Sequence, residues 1–215
     1  MPIIVNARSA KPFSVARRDD AVLSGDERGM EIHDIESLKR ALEAGQCPEF
    51  LFFWGHTAKG REIGKHVLSH WWPATFALDG QTYASAEQYM MAQKAKLFGD
   101  EDAHARILAT TSPSEAKKLG RRVKGFDEAL WVAHRFEIAV RGNIAKFGQN
   151  LELKDWLVGT GDCVLVEASP VDRIWGIGLA ADDTRAGDPR TWRGLNLLGF
   201  ALMKARALVR EGSRA

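Results

Sequence analysis

From Ala86 to Arg210 this chain of 215 residues is divided into helix-length segments with a single exception, and that pattern narrows the folds open to it. Apolar spacing and stop signals predict helices over 86–98, 102–109, 114–119, 128–147, 151–158 and 195–210. In the last, Leu195, Leu198, Leu202, Ala205 and Val209 recur at helical spacing, which marks a core stripe. The exception is the apolar run Cys163–Ala168, a strand candidate that follows the turn Thr160-Gly161-Asp162. Upstream, 35–44 reads as a short amphipathic helix ended by Gly45, and Phe50-Leu51-Phe52-Phe53 as a buried strand. The segment 76–83 reads as a hairpin with Asp79-Gly80 at its turn. Many helices with few, short strands define an α+β class: one helix-dominated domain with a small antiparallel or mixed sheet. Residues 1–30 are polar and read as a flexible or loosely attached extension, 31–49 as a lead-in helix and connection, and 50–212 as the body of the domain.

Composition excludes several roles. The net charge is only +2 and no run of like charge exceeds three residues, so there is no footprint for nonspecific nucleic-acid binding. Two cysteines, Cys47 and Cys163, cannot make a disulfide framework. No apolar stretch reaches membrane-spanning length and Met1-Pro2-Ile3 opens no signal peptide, so the expectation is a cytoplasmic protein without a membrane partner. Seven tryptophans stand against two tyrosines, several in polar, glycine-containing contexts, which suits a pocket for a flat ligand.

Two segments carry chemistry. Ser169-Pro170-Val171-Asp172-Arg173-Ile174-Trp175-Gly176-Ile177-Gly178 packs a carboxylate, a guanidinium, an indole and two glycines into one loop. It reads equally as a binding loop or as a turn in which Asp172 caps and Trp175 is buried. Ser85-Ala86-Glu87-Gln88 matches a capping box, which puts Glu87 in a first helical turn where the macrodipole favours a carboxylate. At 100° per residue Glu87, Met91, Lys94 and Phe98 share one stripe, neither a plain core face nor a plain solvated one. That leaves two readings of Glu87 and Lys94, an ordinary solvated pair or a partly buried pair with perturbed protonation. His56, His66 and His70 lack ligand spacing, and Gly60 and Gly64 belong to no phosphate loop because no Lys-Ser/Thr follows. The expectation is no metal and no cofactor.

The motifs Phe52-Phe53-Trp54-Gly55, Ser69-His70-Trp71-Trp72-Pro73 and Tyr83-Ala84-Ser85-Ala86-Glu87-Gln88-Tyr89 come in that order. They are followed by Lys117-Lys118-Leu119-Gly120-Arg121-Arg122, Lys146-Phe147, Glu167 to Gly178 and Trp192-Arg193-Gly194-Leu195-Asn196. This series, over roughly 50–210, resembles the NADAR family, the YbiA-like N-glycosidases. The resemblance implies a YbiA-like fold and hydrolysis of N-glycosidic bonds. One branch of the family destroys early phosphoribosylamino-pyrimidine intermediates of riboflavin biosynthesis. Others remove ADP-ribose from guanine, so nucleic acid would enter only as an ADP-ribosylated substrate. A noncatalytic binder of NAD or ADP-ribose is the alternative of a different class.

Cleaving a ribosyl C–N bond builds positive charge on the sugar and negative charge on the departing base, which calls for carboxylates and a proton donor. Glu87 and Asp172 are the expected pair. Lys94 opens a second route, a Schiff base on the opened sugar, and the two routes stay open at this level. Trp54, Trp71, Tyr89 and Trp175 are candidates to stack on the base, with Gly55 and Gly176 beside them. Lys118, Arg121 and Arg122 either bind phosphate or complement a helix dipole, and Asn196 either caps the last helix or touches ribose.

Overall fold

The computed structural model describes residues 31–57 and 62–212. The expected extension over 1–30 lies outside the described residues, as do 58–61, which include Gly60. The described chain runs α1 (Ile35–Glu43), β1 (Phe50–Phe53), β2 (Phe76–Leu78), β3 (Gln81–Tyr83), α2 (Ala86–Leu97) and α3 (Glu101–Leu108). It continues with α4 (Pro113–Gly120), α5 (Glu128–Gly148), α6 (Leu151–Gly159), β4 (Val164–Glu167) and α7 (Leu197–Glu211). Helices dominate and the architecture is α+β, as the spacing of apolar residues requires.

The strands do not form one sheet. β2 and β3 make an antiparallel hairpin whose turn holds Asp79 and Gly80 at positive φ. β1 and β4 form a separate parallel pair, with Phe50 opposite Val164 and Phe53 opposite Glu167. The expected single small sheet is therefore two ribbons. The apolar run of β4 has a physical explanation in that pairing: Val164, Leu165 and Val166 are all buried, which is the pattern of a parallel strand covered on both faces. α5 and α7 lie against each other and α7 packs on β4, while α2, α3 and α4 form a second helical layer against α5.

Sharp starts set the helices in place. Ser85 accepts from the Gln88 N–H and caps α2, as expected. The Gln88 side chain does not complete the box: its Oε1 accepts from the Ala84 N–H at 2.6 Å. Its amide instead donates to the carbonyls of Ile107, Leu108 and Thr110, tying the start of α2 to the end of α3. α7 begins two residues later than its apolar stripe. The Leu195 N–H donates to Arg173 O and the Asn196 N–H to Gly176 O, so the chain before Leu197 is bound to the 172–178 loop.

Candidate active site

The parallel strands β1 and β4 end side by side, and the site is built from what leaves those ends. After Phe53 come Trp54 and Gly55, the first 58% exposed and the second at φ +77°. After Glu167 comes the loop to Gly178. Clefts in sheets with parallel strands form outside their carboxyl ends, because the chains diverge there.

The 172–178 loop is the turn of the second reading, with Trp175 half-buried. Asp172 Oδ1 accepts from the N–H groups of Ile174 (2.9 Å) and Trp175 (2.8 Å), so it organises the turn. Asp172 also lies close enough to Glu87 and Glu167 to repel their charged forms. Gly176 serves packing, not ligand approach: a Cβ there would stand 2.7 Å from Glu167 O. Gly194 is fixed by the same crowding, since a Cβ there would collide with Gly176 O and the Arg173 backbone. Backbone bonds from Arg193 to Ile177, Leu197 to Ile174 and Leu198 to Trp175 fasten the loop to the start of α7.

Glu87 leaves the first turn of α2 into this cluster and is only 3% exposed. Its N–H donates to His70 O at 3.0 Å and Trp71 donates to its carboxylate. Oε1 has no partner among the described residues. Burial is the largest influence and pushes the Glu87 carboxyl up to about 7; Lys117 and Arg121 pull it down and Asp172 pushes it further up. Glu167 behaves alike. Burial, Asp172 and Glu87 raise it to about 8 against the pull of Lys117, and its Oε2 also lacks a partner.

Three carboxylates therefore face one another, with the Lys117 ammonium opposite and two indoles at the edge. Lys117 lies over the Trp71 ring at 5.7 Å, and Trp175 is half-buried with its ring 6.0 Å from His70. His70 is fully buried and held neutral, its pKa driven down to about 3 by burial. Asn143 is within 3.2 Å of its Nε2. Such an arrangement can hold a proton at neutral pH, place negative charge beside a developing cation, and accept a flat ring. No cluster of three or more metal-binding side chains occurs among the described residues.

The structure brings together Glu87, Asp172, Trp71 and Trp175, and Arg121 reaches the field of Glu87. It separates others. Lys94 stands 4.2 Å from the Phe126 ring centroid and 5.5 Å from that of Trp131, and the charge that acts on it is that of Glu128. It does not share the neighbours of Glu87, because two turns of helix carry it to the far end of α2. Tyr89 is core: it packs on Phe76 and Tyr83 and fills the space that Gly142 leaves open. Asn196 neither caps α7 nor reaches a cleft. Fully buried at φ +53°, it accepts from the Glu167 N–H (2.9 Å) and donates to Leu165 O (2.9 Å), holding the end of β4. Lys118 is exposed and paired with Glu115, and Arg122 is exposed.

Two residues of the cluster escaped the sequence reading. Glu167 looked like the end of an apolar run, although a carboxylate closing a strand buried on both faces was a usable signal. Lys117 stood among four basic residues, and only the rotation of α4 selects it.

A buried set of titratable groups at the mouth of two parallel strands marks a candidate catalytic cleft. Comparison with known proteins specifies the class. The NADAR domain model matches residues 52–210, and the chain belongs to that family. It is 44% identical over 166 residues to N-glycosidase R617 of Acanthamoeba polyphaga mimivirus, covering 75% of this chain and 96% of that protein. It is 31% identical over 135 residues to N-glycosidase YbiA of Escherichia coli K12, covering 63% of this chain and 74% of that protein. The NMR structure of E. coli YbiA superposes with a TM-score of 0.63 at 24% identity, over 79% of this chain and 89% of that one, and shows the shared fold. The protein is an enzyme of the N-glycosidase class.

Proposed function

We propose that this enzyme hydrolyses the N-glycosidic bond of phosphoribosylamino-pyrimidines, reactive intermediates of riboflavin biosynthesis. The observation that carries the reading is Glu87: a buried carboxyl held near neutrality beside two further carboxylates and one cation. Support also comes from a maize relative named riboflavin biosynthesis protein PYRR, chloroplastic, 35% identical over 137 residues, although the match spans only 20% of that protein.

Glu87 in its protonated form donates to the nitrogen that leaves. The C–N bond breaks and Asp172 offers negative charge to the sugar as it becomes cationic. Water adds to the anomeric carbon and gives its proton back to the carboxylates. Glu167 stays protonated at neutral pH and hydrogen-bonds the sugar or the water. Trp175 and Trp71 hold the ring of the base. Direct attack by water is the route this geometry favours, because Lys94 stands away from the carboxylates in its aromatic surround.

The test is release of free pyrimidine from the pathway's phosphoribosylamino-pyrimidines, followed by chromatography, with ADP-ribosyl-guanosine run in parallel. Release from the first and not the second is the expected outcome. The reverse outcome would assign the enzyme to ADP-ribose removal, and binding of both without release would leave a noncatalytic binder. Borohydride added during turnover should trap no sugar adduct on Lys94; an adduct found by peptide mass spectrometry would restore the covalent route.

A further inference from the structure

Among the described residues three Lys or Arg side chains are buried: Arg135, Lys146 and Arg206. Lys146 donates to Val67 O and Ser69 O, and Arg206 to the Thr160 hydroxyl and Cys163 O. Arg135, 7% exposed, has no hydrogen-bond or ion-pair partner among the described residues, yet none of its nitrogens is sealed from solvent. The side chain is packed along its length while its guanidinium donors stay unfilled by the described chain and open to solvent. An anion could fill them.

Helix geometry places the group. Trp131, Arg135, Ala139, Gly142, Asn143 and Lys146 fall within about 120° of arc on α5. Four of these positions have known neighbours that map the wall: Lys146 holds Val67 and Ser69, Asn143 meets His70, Gly142 receives Tyr89, and Ala139 packs in the cluster that Trp175 covers. One turn beyond Arg135, Trp131 lies beside Lys94. Arg135 therefore projects between the Trp175 loop and the far end of α2. Glu87 and Lys94 mark the two ends of that helix face, about 10.5 Å apart along the axis. The cleft has an acidic end at Glu87, Glu167 and Asp172, and helix geometry puts Arg135 on the arc of α5 that runs on from it.

We infer that Arg135 is the anion-binding residue of this cleft and takes a phosphate group carried by the sugar. The N-glycosidase reading is needed only to say which molecule brings that phosphate. A guanidinium grips phosphate through two parallel N–H bonds, and one whose side chain is held by packing presents them in a more fixed position than the exposed Lys118, Arg121 and Arg122.

The experiment measures thermal stability and affinity with ribose 5-phosphate and with ribose, on the full chain and on Arg135→Met and Arg135→Lys. Ribose 5-phosphate, not ribose, should raise the melting temperature of the parent protein. Arg135→Met should bind ribose 5-phosphate at least tenfold more weakly, Arg135→Lys should keep part of the affinity, and unliganded Arg135→Met should melt no lower than the parent. That last sign separates the two roles, since a merely structural arginine would lower the melting temperature when replaced. Equal affinity in Arg135→Met, or a loss confined to Arg121→Met, would overturn the inference. The two proposals fail distinguishably: turnover whose KM ignores both the sugar phosphate and Arg135 sinks this one alone, while phosphate-dependent binding through Arg135 without base release sinks only the proposed reaction.

Discussion

Glu87 and Lys146 are both charged groups taken out of water, and the fold treats them oppositely. Lys146 sits on the last turns of α5 with no exposure, and its ammonium donates to Val67 O at 2.6 Å and Ser69 O at 2.8 Å. It fastens the segment that presents His70 and Trp71. Glu87 has comparable burial, one indole donor and an orphaned oxygen, with two more carboxylates facing it. Satisfied burial builds architecture; unsatisfied burial stores chemistry. The same protein shows both within a few residues, since the Glu87 N–H rests on the carbonyl of His70 that the Lys146 anchor holds in position.

The contrast breaks most visibly at Glu87. Glu87→Gln should lower kcat on the order of 10²–10⁴-fold, because an amide cannot exchange the proton, while the melting temperature stays level or rises. Near-parent turnover with a lower melting temperature in that variant would move Glu87 to the architectural side. Lys146→Met should do the reverse. It orphans two backbone carbonyls at about 1–3 kcal/mol each, read by urea unfolding, and reduces activity only as the Ser69–Trp71 segment loosens.

A pH series sharpens the comparison. Glu87 and Glu167 have folded-state pKa values above the ordinary 4.5, at about 7 and about 8, so the folded protein binds more protons than the unfolded chain between those limits. Their contribution to stability is complete below pH 4.5 and is lost as pH rises toward 8. Lys146, pushed by burial from 10.5 down to about 7, works the other way, and stability rises with pH over that interval. The unfolding free energy from urea titrations should therefore fall from pH 5 to 7, by on the order of 1–3 kcal/mol, and Glu87→Gln should flatten part of the slope. The smallest effect belongs to Lys117→Met. Removing the cation lets the Glu87 carboxyl rise further, so the alkaline limb of the pH–rate profile should move up by less than about one unit. An unmoved limb would show that another group donates the proton.

Much of this contrast was legible in the sequence because it is local. The Ser85 cap, the Asp79-Gly80 turn, the first-turn position of Glu87 and the capping geometry of Asp172 each depend on neighbours within a few residues. What failed to show is nonlocal. Asn196 looks like a helix cap until its side chain is seen spanning β4, and Tyr89 looks like a stacking ring until Gly142 is found opposite it. Glu167 enters the site only because Phe53 pairs with it, and that register is written in no short segment. Lys94 shares a helical stripe with Glu87, but a stripe fixes direction and not reach; Phe126 and Trp131 close around its end.

The parallel pairing of β1 with β4 also governs the order in which this enzyme comes into being. Its two strands are joined through the whole helical excursion from β2 to α6, so the pairing that seats Glu167 has a far larger loop-closure entropy than the β2–β3 hairpin. Helices and the β2–β3 hairpin assemble from neighbours and form early. On a ribosome, the half of the cleft carrying Glu87, Trp71 and Lys117 emerges well before β4 and the asparagine that braces it. A nascent or refolding chain thus acquires helical content first and hydrolytic competence last, and the interval between the two measures how long its carboxylates wait for one another.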